Sequence, residues 1–331
     1  MTNTDGTDDT TANDGTDEHD STTDTEPELV ARHDHRVGEG PVWHPDEKRL
    51  YWLDIPTGRL FRYDPAADED ELALSLDVEL GGYTIQEDGS LLLFLSEGAV
   101  ATWNPNGSND DGSGVGGGEP ATDDALEYVI DDIPAERNSR FNDVIADPEG
   151  RVFAGTMPTD DDLGSLYRID PDGSYERVDD RGYDIPNGMG FTPDLESLHV
   201  TESEARTIYL FDYDRETGEL SNRRSFTEVT GDEREGNPDG MTVDEEGCVW
   251  SARWGGGCVV RYDPDGVEID RVDIPAPKAS SVTFGGPENR DLYVTTAKGH
   301  DAEDDPPAGS VFRCQTAVAG VPEFRSRVGL E

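Results

Sequence analysis

The stretch that decides the fold reads Asn237-Pro238-Asp239-Gly240-Met241-Thr242-Val243-Asp244-Glu245-Glu246-Gly247-Cys248-Val249-Trp250. Within it, Asp239 begins a short apolar run, which closes at the polar turn Glu245-Glu246-Gly247 before the next strand. The same interval recurs three times upstream, each time between an oxygen-bearing side chain and a proline. These copies run from Glu39 to Pro45, from Asn142 to Pro148 and from Asn187 to Pro193.

Two further copies are recognisable by their turns and make six repeats. Asp88-Gly89 precedes one strand and Gly285-Gly286-Pro287 precedes another, with Gly81 and approximately Ser280 at the position of the acid. A repeat of about 45 residues built from short strands is typical of a β-propeller, in which each repeat forms one four-stranded blade around a channel. The sequence therefore predicts an all-β, six-bladed β-propeller over residues 29–331.

The N-terminal segment carries almost nothing to bury, because it consists mainly of Thr, Asp, Gly, Asn and Ser. We expect a disordered acidic tail over residues 1–28. Because a propeller is a ring, we expect the apolar residues 28–33 to pair with the last blade around residues 309–312 and so close it. A Gly-, Asp- and Ser-rich insertion over residues 104–124 is expected to be a mobile surface loop.

The chain of 331 residues is strongly acidic, with 75 Asp and Glu against 26 Lys and Arg and a formal net charge of −49. Such a surface repels a polyanion, so nucleic acid is excluded as a partner. Acidic residues are dense in every turn, and lysine occurs only at Lys48, Lys278 and Lys298. Proteins of salt-accumulating halophiles share this composition, because high ionic strength screens their self-repulsion. We expect a halophilic protein that loses stability when salt is removed.

The three cysteines, Cys248, Cys258 and Cys314, are isolated within strand-like segments and form no CxxC pair. We expect buried free thiols in a reducing cytoplasm. No apolar run reaches membrane-spanning length, and the N-terminus lacks the basic and apolar regions of a signal peptide. The expected protein is cytoplasmic, with no membrane contact and no obligate protein partner.

The repeat also predicts a shared site, because equivalent residues of the innermost strands converge on one mouth of the channel. Glu39, Asn142, Asn187 and Asp239 would meet there as two carboxylates and two amides. This all-oxygen set suits a hard divalent cation such as calcium, magnesium or manganese, while zinc prefers nitrogen or sulfur. The alternative is that these residues only make local turn hydrogen bonds.

Four motifs in this order resemble the SMP-30/gluconolactonase/regucalcin family, over about residues 36–313. The first two are Gly38-Glu39-Gly40-Pro41-Val42-Trp43, and Arg140-Phe141-Asn142-Asp143 followed by Gly155-Thr156-Met157. The others are Pro186-Asn187-Gly188-Met189 and Pro238-Asp239-Gly240-Met241. The resemblance implies a six-bladed propeller with one catalytic divalent metal in the channel, calcium being favoured and magnesium, manganese or zinc possible.

Carried over motif by motif, the resemblance implies roles for individual residues. Glu39, Asn187 and Asp239 are expected to bind the metal directly. Arg140 and Asn142 are expected to bind substrate, with Asn142 close to the metal or bonded to it through water. Family members also place an acid soon after the Gly-Thr-Met motif to bind sugar hydroxyls, and the matching position here is Asp160. Because some relatives have the longer glutamate there, this position puts substrate preference in question.

The implied reaction is hydrolysis of a sugar lactone to the aldonic acid. A cation lowers the pKa of bound water and polarises the ester carbonyl, so the site needs few other groups. Asp239 is the expected general base, although a carboxylate bound to a cation is weakly basic. Arg140 has rigid donors suited to a lactone, or alternatively forms a surface salt bridge.

Two other functions remain open at this stage. One is hydrolysis of another activated ester, such as a phosphotriester, because related propellers use similar all-oxygen sites. The other is a noncatalytic calcium-binding propeller, whose metal would be fully coordinated by protein groups. Trp254 is a candidate for the channel mouth, and Tyr83 and Tyr183 are candidates for walls of the site or for ordinary packing.

Overall fold

The computed structural model describes residues 26–107, 120–298 and 307–330. Most of the predicted acidic tail and residues 108–119 of the predicted insertion lie outside these ranges. Within them the chain forms strands joined by short turns, with four 3-10 helices at Ile55–Thr57, Asp123–Ala125, Pro134–Glu136 and Glu233–Glu235. None of the helices in the described parts of the chain has the length or apolar character needed to cross a bilayer.

The described residues contain twenty-four strands. In chain order they are β1 (Glu28–Ala31), β2 (Gly38–His44), β3 (Arg49–Asp54), β4 (Arg59–Asp64), β5 (Glu69–Ser75), β6 (Leu80–Ile85), β7 (Leu91–Leu95), β8 (Val100–Trp103), β9 (Glu127–Ile130), β10 (Phe141–Ala146), β11 (Val152–Thr156), β12 (Gly164–Ile169), β13 (Tyr175–Tyr183), β14 (Pro186–Phe191), β15 (Ser197–Glu202), β16 (Thr207–Tyr213), β17 (Leu220–Glu228), β18 (Asn237–Val243), β19 (Val249–Trp254), β20 (Cys258–Tyr262), β21 (Glu268–Asp273), β22 (Ala279–Gly285), β23 (Asp291–Thr296) and β24 (Val311–Gln315).

These strands form six four-stranded antiparallel sheets, which we number as blades one to six from β2 onward. Blades one to five each use four consecutive strands, and blade six has the order β1-β24-β23-β22. The first strands of the blades, β2, β6, β10, β14, β18 and β22, contact one another in a closed circle. The predicted six-bladed β-propeller is therefore confirmed, with these six strands lining its channel.

The ring closes as the sequence predicted, with an N-terminal strand in the last blade. Strand β1 pairs with β24, and Leu29 lies opposite Phe312. An ion pair at 2.8 Å between Arg313 Nη2 and Glu28 Oε2 lies beside this pairing. Backbone hydrogen bonds thus satisfy what would otherwise be an open sheet edge.

Hydrophobic cores fill the spaces between neighbouring blades. Between blades one and two, for example, Tyr51, Leu53 and Leu60 pack against Leu91 and Leu93. The inner three strands of each sheet are largely buried, as in the fully buried β7, whereas outermost strands such as β17 are mostly exposed and polar. The three cysteines are buried and free, as the sequence predicted.

The C-terminal segment forms a second connection across blades that the repeat pattern did not predict. Val321 N donates to Val243 O of blade five at 3.0 Å, and Ser326 Oγ lies 2.7 Å from Thr84 Oγ1 of blade two. Arg327 N then donates to Gly150 O of blade three at 2.9 Å. The segment spans blades far apart in the ring, at the opposite end of the inner strands from Glu39 and Asp239.

Candidate active site

Every inner strand breaks its pairing register near its first residues. In β14 the break falls between Asn187 and Met189, and in β18 between Pro238 and Met241. A bulge of this kind interrupts the regular alternation of side chains between the two faces of the sheet and so changes the direction in which a side chain points. The remaining breaks lie at Glu39/Val42, Leu80/Gly82, Phe141/Val144 and Ala279/Ser281. The repeated oxygen-bearing residues therefore lie at, or within the span of, a bulge.

Glycines let the inner strands approach one another at this level. A Cβ at Gly188 would lie 2.5 Å from Asp239 O, and one at Gly240 would collide with the side chain of Ser281. No side chain fits at these contacts, because real Cβ atoms do not come so close to other atoms. The glycines that follow Asn187 and Asp239 thus let the inner strands of blades four, five and six lie close together.

The predicted residues gather around one cavity of about 240 Å³ at this end of the channel. Apolar side chains form part of its wall, among them Trp254, which the sequence had placed near the channel mouth. The full lining is Val37, Glu39, Arg140, Asn142, Met157, Ile185, Asn187, Ser203, Glu204, Asn237, Asp239 and Trp254. Five of the six predicted site residues therefore share a single cavity.

Asn187 and Asp239 are in direct contact, although they belong to different blades. Asn187 Nδ2 donates a short hydrogen bond to Asp239 Oδ1. The same nitrogen lies 3.3 Å from Ser203 Oγ, in the turn after β15. Both residues are buried, with exposed fractions of 6% and 4%. Local turn chemistry does not account for Asn187, since it bonds to two separate segments.

Glu39 lies at the same level and keeps one local bond. Its Oε2 accepts from Gly40 N at 3.0 Å, as the turn interpretation requires. Burial, with Asp143 as a neighbouring negative charge, raises the pKa of Glu39 to about 8. Burial, followed by the charges of Glu39 and Asp143, also raises the pKa of Asp239 well above its usual range. Three carboxylates therefore repel one another inside the channel.

Arg140 and Asn142 form a fixed pair on blade three. Arg140 Nη1 donates to Asn142 Oδ1 at 2.9 Å and to Phe141 O at 2.8 Å. Asn142 Nδ2 in turn donates to Pro186 O of blade four at 3.0 Å. The nearest carboxylate oxygen to Arg140, in Glu79, is 4.0 Å from Nε. Arg140 is therefore held mainly by neutral oxygens, which disfavours the interpretation that it is only a surface salt bridge.

The residues present fit a divalent cation. Glu39, Asp239 and the amide oxygen of Asn187 give an all-oxygen donor set, and Arg140 is the one basic residue among the described residues that line the cavity. Buried like charges are costly unless a positive charge accompanies them. In the described ranges no group of three or more His, Cys, Asp or Glu residues has metal-binding spacing. An amide ligand is therefore needed to complete a site here.

Asp160 is the predicted site residue that lies apart from the others. It is exposed in the loop between β11 and β12 and does not line the cavity. Its loop is ordered by Thr159, whose Oγ1 accepts from Asp162 N at 3.0 Å. The role of Asp160 toward substrate stays a prediction. Tyr83 and Tyr183 are buried in the cores between blades and do not line the cavity either.

Sequence reasoning gave no role to three residues that lie in or beside this site. Asp143 follows Asn142, and its negative charge raises the pKa of Glu39. The sequence identified the motif that contains Asp143 but predicted no role for this residue. Ser203 and Glu204 follow β15 and line the cavity. No recurring pattern marks these two, because the corresponding positions in blades three and five hold Met157 and Trp254, which line the cavity without a side-chain oxygen.

The family model for the SMP-30/Gluconolactonase/LRE-like region matches residues 37–298. The chain is 50% identical to pentonolactonase XacC of Haloferax volcanii over 304 residues, covering 89% of this chain and 96% of that protein. It is 33% identical to 6-deoxy-6-sulfogluconolactonase of Pseudomonas putida over 302 residues, covering 89% and 96%. Among solved structures, a calcium-binding regucalcin of Agrobacterium tumefaciens superposes with a TM-score of 0.79 at 25% identity, covering 91% and 97%.

Proposed function

Because this chain belongs to the SMP-30/gluconolactonase/LRE-like family, we propose that it hydrolyses a sugar lactone to the aldonic acid with the help of one divalent cation. One observation carries the proposal: two buried carboxylates, an amide and a guanidinium from separate blades line one cavity. Relatives named pentonolactonase and 6-deoxy-6-sulfogluconolactonase support a pentono- or hexonolactone as substrate. Calcium is the favoured cation, supported by oxygen donors and by a calcium-binding structural relative.

Glu39, Asn187 and Asp239 would hold the cation. When bound, a divalent cation lowers the pKa of water and polarises an ester carbonyl. Burial of these three side chains keeps them from being solvated separately, so their oxygens are available to a shared ion. Asp143 does not line the cavity, and its charge strengthens the negative potential at the ligands.

In the proposed reaction, water adds to the lactone carbonyl carbon and the ring C–O bond breaks. Asp239 takes a proton from the attacking water at its carboxylate and returns it to the ring oxygen, which leaves as a hydroxyl group. Phe141 O and Asn142 Oδ1 fix Nη1 of Arg140, and the remaining N–H groups of its guanidinium donate to the lactone ring oxygen or carbonyl. The apolar side chains Val37, Met157 and Ile185 exclude bulk water from part of the cavity.

The proposed compartment is the cytoplasm. The three cysteines are free and buried, which suits a reducing environment. Their burial raises the pKa of the Cys248 thiol to about 11 and that of Cys314 to about 12. Thiols of this kind do not react readily and need no disulfide partner.

The test is a panel of pentono- and hexonolactones assayed with a pH indicator in molar salt, after subtraction of spontaneous ring opening. The protein is first stripped with chelator, and single metals are then restored. The proposal expects activity that disappears with chelation and returns with calcium or another divalent cation. Activity in metal-free protein would refute the mechanism. Turnover of phosphotriesters but no lactone, or metal binding without turnover of either, would establish one of the two alternative functions instead.

A further inference from the structure

We infer that Glu204 is the residue that accepts hydrogen bonds from the hydroxyl groups of the sugar lactone and so selects for hydroxylated substrates. This inference rests on the proposed function and deepens it. Glu204 lies in the turn between β15 and β16 of blade four, and it lines the same cavity as Arg140, Asn187 and Asp239. The resemblance to the family had assigned the hydroxyl-binding role to Asp160 instead.

The turn that carries Glu204 is fixed by its backbone. Ser203 N donates to Ile185 O at 3.1 Å, and Arg206 N donates back to Ser203 O at 3.1 Å. Glu204 N donates to Glu202 Oε1 at 3.2 Å. The carboxylate of Glu202 is buried and also accepts from Ile185 N at 3.1 Å. A buried acid thus anchors the point from which the Glu204 side chain starts.

The Glu204 carboxylate itself is available. Within the described residues the carboxylate has no hydrogen-bond or ion-pair partner, and the hydrogen bond to Glu202 uses the backbone nitrogen of Glu204. An ionised carboxylate only accepts hydrogen bonds, and its two oxygens can take two hydroxyl donors at once. Such bonds are stronger than those between neutral groups. A polyhydroxylated ring supplies this kind of donor.

The cavity is buried at one end and open at the other, and this difference determines how the substrate is oriented in it. Glu39 and Asp239 are buried, with exposed fractions of 9% and 4%, whereas Glu204 is exposed. The ester group must reach the buried end, where Arg140 and the proposed ligands lie. The hydroxyl groups on the rest of the ring then point toward the open end, where Glu204 lies. A volume of about 240 Å³ is small for a ligand site and suits a single sugar ring.

Asp160 does not meet these conditions. It is exposed in the loop after β11, outside the cavity lining, and neighbours the turn organised by Thr159. Glu204 belongs to the adjacent blade, and its side chain is one methylene longer than that of Asp160. In this chain the acid that meets the substrate therefore comes from a different blade than the resemblance implied.

The experiment uses the full-length protein, saturated with calcium in molar salt, and the variants Glu204→Leu and Glu204→Gln. Two substrates are compared: a pentono-1,4-lactone and γ-butyrolactone, which has the same ring without hydroxyl groups. Glu204→Leu should raise KM for the pentonolactone about tenfold, with kcat within threefold and γ-butyrolactone hydrolysis unchanged. Glu204→Gln keeps a neutral acceptor, so its KM for the pentonolactone should lie between that of the unaltered protein and that of Glu204→Leu.

Glu233→Leu is the matched control, because Glu233 is an exposed glutamate outside the cavity lining. Its kinetic constants should stay within twofold of those of the unaltered protein. The inference is overturned if the KM of Glu204→Leu for the pentonolactone stays within twofold of that of the unaltered protein, or if KM rises equally for both substrates. It is also overturned if Asp160→Leu raises KM for the pentonolactone and Glu204→Leu does not. Absence of lactone hydrolysis in the unaltered protein would instead overturn the proposed function.

Discussion

Asn187 Nδ2 donates a hydrogen bond to Asp239 Oδ1, which joins two residues 52 positions apart on the inner strands of neighbouring blades. Ser203 Oγ lies on the other side of the same nitrogen, at 3.3 Å. Both bonds use the amide nitrogen of Asn187, so they hold its side chain against Asp239 and leave its amide oxygen unused by either bond.

Neutralising either carboxylate should abolish both metal binding and catalysis. Asp239→Asn and Glu39→Gln each remove a charge from the proposed ligand set, and we expect lactone hydrolysis to fall by about a thousandfold or more. Calcium binding measured by calorimetry should be lost in parallel. The metal-free variants should melt at or above the temperature of the metal-free parent, because one of the three buried carboxylates that repel one another is replaced by a neutral amide. A variant that binds calcium normally would contradict the ligand assignment.

Ser203→Ala should weaken metal binding without removing it. Ser203 offers an acceptor for the Asn187 amide nitrogen, which leaves the amide oxygen for the cation. Residues that orient a metal ligand commonly contribute about tenfold or more in affinity, and we expect about tenfold weaker calcium binding. Activity at saturating calcium should recover. Ser203→Thr, which keeps the hydroxyl, is the control and should retain most of the affinity.

Removing salt should destabilise the protein. The formal net charge is −49, and self-repulsion grows as the ionic strength falls. We expect the melting temperature to drop by about 10 °C or more between molar potassium chloride and dilute buffer, a loss of a few kcal/mol. The melt is recorded with saturating calcium in both buffers, so that metal loss does not contribute. Equal melting temperatures would remove the support for a halophilic protein.

Mild acid should destabilise the fold through two buried histidines. Burial, reinforced by His33 and Arg59, lowers the pKa of His35 to about 3, and burial lowers the pKa of His199 to about 4. The unfolded chain titrates near 6.5, so it binds more protons than the folded chain between that pH and the folded values. The contribution of the two neutral histidines to the free energy of unfolding is therefore fully present above pH 6.5 and decreases as the pH drops below that value.

Comparison with His35→Gln isolates this effect. His35 Nε2 accepts from Trp52 Nε1 at 2.9 Å, which requires a neutral ring, and glutamine can also accept there. Between pH 7.5 and pH 5.0 the parent should lose about 2 kcal/mol of unfolding free energy more than the variant. Urea unfolding in molar salt with calcium measures the difference, and carboxylates that titrate in both proteins cancel. An identical loss in the two proteins would show that His35 is not responsible.

The sequence determined the fold because the information was repeated. Six copies of one strand-turn-strand pattern predict six equivalent blades. Because the blades form a ring, the strand at the N-terminus is expected to pair with the last blade. The pairing of Leu29 with Phe312 confirms this closure. The repeat also located Glu39, Asn187 and Asp239, since equivalent positions of inner strands must approach the same axis.

Only the tertiary structure decided which other side chains share the cavity. Asp160 and Glu204 lie in connections between strands, whose course follows from local hydrogen bonds such as that from Glu204 N to Glu202, and not from the repeat. The burial that raises the pKa of Glu39 likewise arises when separate blades exclude water together. A repeated pattern fixes where equivalent strands lie, whereas the path of a unique turn depends on contacts that exist only once the chain has folded.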